Sequence, residues 1–423
     1  MSTTWHGSPN CSVPCHDRRP VPPGKDNAVN RKSLPVALLT LALLAACART
    51  PGPGPAAALD GLAADLQSKL DAVRLESGFP GATLAVVLAD GREIHLASGV
   101  SDPASGAPMK PTDIMFSGST GKTFVAGVAL QLVDEGELAL DLPISRFFGG
   151  TAWLERLPNH DRITVRHLLS HTSGLPRYVE KTVFWEDLAA EPDRVWQPLE
   201  LLAYIFDEPP VHPAGDGWAY SDTNFIVLGM IIEQITGNTV YEEVERRFIA
   251  PLGLTRTAPS TSRRLPGLIQ GCSGDSPMFD FPAHPLVDGV YFINPQFEWT
   301  GGGFVSNVLD LARWLGALLG GDLLSEATRR EMQRPADQAA LQAEGESYGL
   351  GLQIWTSPSG LVYGHGGIFP GHQTQIEYSS AHDFCLALQI NADRFSGLLD
   401  RSMHEYAGQF MPLVASWALE QAD

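Results

Sequence analysis

The chain has 423 residues, 44% hydrophobic and 18% charged, enough to bury a large core and too apolar for extended disorder. Its 48 acidic against 29 basic residues give a formal charge of -19, which repels phosphate backbones and excludes nucleic acid as an expected partner. The five cysteines, Cys11, Cys15, Cys47, Cys272 and Cys385, lack the paired spacing of a zinc knuckle or a disulfide-rich scaffold.

In chain order, residues 1–28 are polar, contain prolines and fit no targeting pattern, so translation is expected to begin at Val29, with 1–28 untranslated or disordered. Arg31-Lys32 then leads an apolar run, Leu34 to Ala46, that closes on Leu44-Ala45-Ala46-Cys47. Residues 29–46 thus resemble a bacterial lipoprotein signal peptide. The resemblance implies lipidation at Cys47, export, and a membrane-tethered protein facing the periplasm or cell exterior. The run is short for a bilayer span, and Pro51-Gly52-Pro53-Gly54-Pro55 argues against a core helix, so 47–57 reads as a linker.

Leu59, Leu62, Leu66, Leu70 and Val73 recur at helical spacing up to Gly78. Thr83 to Leu88 and Glu93 to Ala97 flank Ala89-Asp90-Gly91-Arg92 and predict a β-hairpin. From Thr120 to about Leu319 the apolar periods are helical, as in Val125 to Glu135, Asn224 to Thr236 and Leu309 to Leu319. Short β-prone runs return at Leu361 to Gly364, Thr374 to Tyr378 and Cys385 to Ile390, followed by a helical pattern from Leu398 to Phe410. Strands at both ends around a helical middle predict an α+β fold. One antiparallel sheet would be assembled from both chain ends and flanked by helices, with a mostly helical inserted region and the site between the layers. The domain is expected over 58–413, with 414–423 as a C-terminal tail.

Ser119-Thr120-Gly121-Lys122 puts a hydroxyl and an amine one helical turn apart, on one face of any helix that starts there. Serine is a weak nucleophile near neutral pH, and an adjacent amine supplies the activation, directly or by holding a neighbouring phenol as phenolate. Read alone, the motif favours the plainer roles, Ser119 as a helix cap and Lys122 as a solvated charge. Two distant elements can complete such a site. Tyr220-Ser221-Asp222 places a phenol and a carboxylate at a loop-to-helix boundary, where packing and capping are the plainer roles. His365-Gly366-Gly367 ends a β-prone segment with glycines that let a substrate approach the backbone. His167 and His171 lack the intervening carboxylate of a metalloprotease and read as structural. Ser117 where a glycine is needed removes the α/β-hydrolase elbow around Ser119. No metal or other cofactor is expected.

The order and spacing of these pieces resemble the class C β-lactamase family with its D-Ala-D-Ala carboxypeptidase, D-aminopeptidase and esterase relatives. The resemblance includes Phe116 to Lys122, Ile163 to Pro176, Tyr220 to Phe225, Pro251 to Leu254, Gly301 to Ser306 and Tyr363 to Gly367, across roughly Leu59 to Pro412. It implies a β-lactamase/transpeptidase-like fold and an acyl-enzyme on Ser119, with Lys122 and Tyr220 sharing the proton traffic. Asp222, His365 and Gly367 are implied as supporting or substrate-binding residues, and the backbone N–H groups of Ser119 and Ile368 as the oxyanion hole. The implied substrates are small molecules or peptidoglycan-derived D-alanyl amides, as for a carboxypeptidase or β-lactamase-related amide hydrolase. An esterase and a penicillin-binding sensor that never turns over are the alternatives. Asp222 stands where β-lactamases of this class carry asparagine, and it cannot donate an amide N–H to an acyl group. A carboxylate there is expected to favour the Lys122 ammonium and, through it, a Tyr220 phenolate. The oligomeric state is not legible.

Overall fold

The computed structural model describes residues 55–276, 279–337 and 345–422. The expected signal peptide at 29–46 and the lipid site at Cys47 lie outside the described residues. No helix among the described residues is long and apolar enough to cross a membrane.

Both chain ends contribute to one eight-stranded sheet. Its strands are β1 (Gly81–Val87), β2 (Glu93–Asp102), β3 (Ala107–Pro108), β4 (Glu346–Tyr348), β5 (Gln353–Ser357), β6 (Gly360–Phe369), β7 (His372–Ser379) and β8 (Phe384–Ile390). They lie in the order β3-β2-β1-β8-β7-β6-β5-β4, every neighbouring pair antiparallel. The seam between the chain ends is the pairing of β1 with β8, in a register that sets Leu84 opposite Leu388 and Val86 opposite Leu386. Both strands are buried on both faces, which explains their near-continuous apolar sequences. Asp90-Gly91 makes the turn of the expected hairpin, with Gly91 at φ 82°.

One face of the sheet carries α1 (Pro55–Ser77), and Leu62, Leu66, Leu70 and Val73 of its buried stripe pack on Leu84, Val86, Leu386 and Leu388. The other face carries the inserted helical region. There α2 (Lys122–Asp134), α3 (Asp222–Thr236) and α4 (Val308–Leu319) share a core in which Phe124 stacks on Trp314 at 4.3 Å. From Lys122 to Leu130, α2 is buried on every side, as a helix that is apolar all round must be.

Three expectations change. The stretch expected as a tail is helical over its described residues, 414–422, because α6 (Met411–Ala422) buries Val414 and Trp417 against α1 and Trp417 Nε1 donates to Ala58 O at 3.1 Å. The helix expected over Leu398 to Phe410 shrinks to α5 (Met403–Ala407). Gly397 at φ 72° ends the turn before it, and the Ser402–Glu405 capping box starts the helix late. The linker gives way to α1 already at Pro55, since proline costs no hydrogen bond in a first turn.

Candidate active site

Ser119 lies on a single 3-10 turn, Gly118–Gly121, that runs directly into α2 at Lys122. A 3-10 turn eclipses residues three apart, so the two side chains rise from the same side. Two glycines press this turn against β6. A Cβ on Gly118, whose φ is +51°, would lie 2.6 Å from Ile368 N, and one on Gly367 would lie 1.9 Å from Ser117 O and 3.0 Å from Ser119 N. Only glycine allows that approach, and it brings the Ser119 and Ile368 amides to one seam. His365-Gly366-Gly367 sits within β6 rather than at its end, and Gln353 Oε1 accepts from Gly366 N at 2.6 Å to hold the strand in place.

Lys122 is fully buried, and its Nζ donates to Ser119 Oγ at 3.0 Å, Asp222 Oδ1 at 2.6 Å and Gly301 O at 2.5 Å. Three acceptors match the three protons of an ammonium. The second Asp222 oxygen takes Arg177 Nη2 at 2.7 Å and Nε at 3.1 Å. Burial alone would push the Lys122 pKa down, but the Asp222 carboxylate, which also accepts its hydrogen bond, more than reverses this and leaves it raised. Burial likewise pushes Asp222 up, and Lys122 and Arg177 override it, holding the carboxyl well below the usual range. The resting site therefore contains a carboxylate bridging two cations.

Tyr220 arrives on the segment before α3 and packs at a tilt against His171, ring centroids 4.3 Å apart and planes at 41°, with its own ring 4.9 Å from Lys122 Nζ and 5.2 Å from Arg177 Cζ. Its hydroxyl is buried and has no partner of ordinary hydrogen-bond geometry among the described residues, although Lys122 and Ser119 are near enough to oppose the effect of burial. Burial wins, reinforced by Asp222, and the pKa stays raised. This corrects the expectation of a phenolate: the Asp222 anion that fixes the Lys122 ammonium also makes a second negative charge on Tyr220 costly, so the phenol keeps its proton.

His365 is 1% exposed, with Nδ1 2.6 Å from Gly366 O and Nε2 2.8 Å from Tyr348 Oη. A carbonyl only accepts, so Nδ1 carries the proton and Nε2 accepts from the Tyr348 hydroxyl. Burial, then Lys122, pushes its pKa down to about 3. The ring is neutral near pH 7 and offers a substrate polarity rather than positive charge.

Of the residues expected from sequence, Ser119, Lys122 and Asp222 are joined by hydrogen bonds. Tyr220, His365, Gly367 and Ile368 stand around them. His167 caps the helix Val165–Leu169 with its neighbour Thr164. His171, read from sequence as structural, is the support for Tyr220. It is fully buried at φ 58°, and its Nδ1 accepts from Ser221 N at 3.2 Å, fixing the loop that carries the phenol. Arg177 escaped notice altogether. It follows the Ile163 to Pro176 segment directly, but its counter-ion lies 45 residues on and no spacing signals the pair.

An antiparallel sheet with helices on both faces, and a Ser-Lys pair opening a buried helix beside a glycine-bearing strand, define a hydrolase-type site of the β-lactamase/transpeptidase fold. The chain belongs to the Beta-lactamase family, whose model matches residues 59–404. It is 27% identical to penicillin-binding protein 4 of Amycolatopsis lactamdurans over 82% of this chain and 91% of that protein. Esterase EstB of Burkholderia gladioli is 31% identical over 47% of this chain and 54% of its own length. The solved D-stereospecific amidohydrolase of a Streptomyces species superposes with a TM-score of 0.68 at 31% identity, covering 78% of this chain and 94% of that one.

Proposed function

We propose that the protein is a serine acyl-hydrolase that forms an acyl-enzyme on Ser119 and cleaves small amides of D-amino-acid type, D-alanyl peptides among them. The observation that carries this reading is the Lys122 ammonium held at 3.0 Å from Ser119 Oγ, with the Tyr220 ring centroid 4.9 Å from that ammonium. The resting pair holds one proton too many for catalysis. Once Lys122 loses one, Ser119 Oγ attacks the carbonyl carbon and its proton passes to the amine. The backbone amides of Ser119 and Ile368 receive the oxyanion. The Tyr220 phenol protonates the departing nitrogen and is reprotonated from Lys122, and water then hydrolyses the ester on Ser119 by the reverse traffic. The similarity to a D-stereospecific amidohydrolase and a penicillin-binding protein supports the amide and the D configuration.

A second reading, an esterase, is favoured by the neutral His365, which supplies no cation for the terminal carboxylate of a D-alanyl-D-alanine peptide or a β-lactam. A panel of D-phenylalanine amide, its L enantiomer, a D-alanyl-D-alanine peptide, a fluorescent penicillin and p-nitrophenyl acetate separates the readings. Preferential release of ammonia or amine from the D substrates is expected. Rapid ester cleavage with no amide turnover would put the esterase in its place, and a lasting penicillin label without turnover a sensor.

Asp222→Asn tests the electrostatics. The carboxylate raises both Lys122 and Tyr220, so its removal lets burial lower the amine, and the rising limb of kcat/KM should move to lower pH by about one unit or more. The same change removes the anion between Lys122 and Arg177 and leaves Arg177 only its more exposed pair with Glu180, and chemical denaturation should report a loss of about 1–3 kcal/mol. Superimposable pH profiles for variant and wild type would sink the argument.

A further inference from the structure

Glu298 plays no part in the proton traffic described above, yet it stands against the loop that holds Lys122. The segment Pro295–Gly301 is kinked at Trp299, a non-glycine residue at φ 40° and ψ -116°. Backbone held in so sparsely populated a conformation persists only where its surroundings over-determine it. Here Thr300 Oγ1 donates to Phe225 O at 2.8 Å, and the kink delivers Gly301 O to Lys122 Nζ. Beside that carbonyl, a Cβ on Gly302 would lie 3.0 Å from Glu298 Oε1. The residue as a whole keeps some accessibility, but its Oε2 is buried with no hydrogen-bond partner among the described residues. An ionised carboxylate left so would be costly, and a neutral acid much less so.

We propose that Glu298 is a positioning residue for the Lys122 charge: as a neutral acid it leaves the ammonium to Asp222 and Ser119, and as a carboxylate it binds that proton more firmly and slows acylation. This rests on Ser119 as nucleophile and Lys122 as the group that must first lose a proton. The groups that face Glu298 are Lys122 of α2, Asp222 of α3, and Tyr178, Tyr241 and Tyr291 from the surrounding segments. Burial raises all three phenols above the usual tyrosine value, and they stay neutral through the physiological range. Tyr178 donates to Phe297 O and Tyr291 to Pro370 O, so neither hydroxyl is directed to the Glu298 carboxyl. Burial pushes Glu298 up to about 8, opposed by Lys122 and assisted by Asp222, so this carboxyl changes charge close to neutral pH.

The test is the pH dependence of single-turnover acylation by p-nitrophenyl acetate in the full chain. The Glu298→Gln to wild-type ratio, normalised at about pH 6.5, should rise at least ~5-fold by about pH 9.5, because the amide cannot acquire the charge that slows the wild type. Glu298→Asp, which restores a titrating carboxyl, should bring back the wild-type slope. A merely structural role would lower the rate by a constant factor, and a ratio flat in pH overturns the proposal. Should Glu298→Gln fail to fold, the aspartate variant decides alone: its inflection must move from that of the wild type, and an unmoved inflection overturns the proposal. If Ser119→Ala acylates as fast as wild type, the nucleophile assignment has failed and takes this proposal with it. If Ser119→Ala is inert and the ratio flat, only Glu298 has been misjudged.

Discussion

Ser119→Ala should lower kcat/KM for D-amino acid amides and for p-nitrophenyl acetate by at least ~10³-fold, because covalent catalysis has no second nucleophile to fall back on. The residue is placed for it. Ser119 keeps partial exposure while Ser117, Gly118, Thr120, Gly121 and Lys122 around it are buried, so its Oγ is the hydroxyl of that turn that a substrate can reach. The variant should fold normally, since the hydroxyl accepts one hydrogen bond from Lys122 and Lys122 retains two other acceptors. Intact-protein mass spectrometry after rapid acid quench gives the direct readout. Wild type should gain one acyl mass with p-nitrophenyl acetate, on the peptide containing Ser119, and the alanine variant none. An equal mass gain in both proteins would move the nucleophile elsewhere.

How much of this was legible beforehand depends on the range of the interaction. The period-four stripe of Leu62, Leu66 and Leu70 and the Asp90-Gly91 turn are local signals, and α1 and the first hairpin formed as read. The Ser119–Lys122 pair is local too, fixed by helical spacing. Tyr220 and His365 were found only through their resemblance to a family, because nothing within a hundred residues of Ser119 indicates that a loop and a strand will close over it. The protonation states were legible in part. An acidic partner for Lys122 could be foreseen from Asp222, but the phenol's retained proton depends on burial at 220 and on the Arg177 that completes the cluster, neither of which has a sequence pattern. Glu298 is the extreme case: its environment comes from a kink at Trp299 and a glycine loop, and in sequence it is one glutamate among many. The C-terminal helix is illegible for a related reason: Trp417 and its apolar neighbours have a surface to cover only once α1 is in place, and Ala58 of α1 lies 359 residues from Trp417 in the chain.

The roles of Lys122 and Tyr220 separate on the leaving group. Lys122→Met removes the cation beside Ser119 and the acceptor for its proton, and acylation by amides and activated esters should fall alike, by at least ~10³-fold. Tyr220→Phe should behave differently. With the phenol protonated at rest and its hydroxyl unpartnered, its chemical use is to give a proton to a poor leaving group. An amine cannot depart without one, whereas p-nitrophenolate can. Amide cleavage should therefore fall by ~10²–10⁴-fold in Tyr220→Phe, the usual range for losing a general acid, while ester acylation falls less than ~10-fold. The ring itself remains in the phenylalanine variant, so the tilted contact with His171 and the face presented to Lys122 persist, and a general loss of structure is not the cause. Stopped-flow acylation with the ester and steady-state ammonia release from D-phenylalanine amide measure the two arms. Equal losses on both substrates would mean that Tyr220 takes the Ser119 proton after all. Loss on the amide alone would make it the acid that frees the amine, with Lys122 as the base whose charge Asp222 and Glu298 regulate.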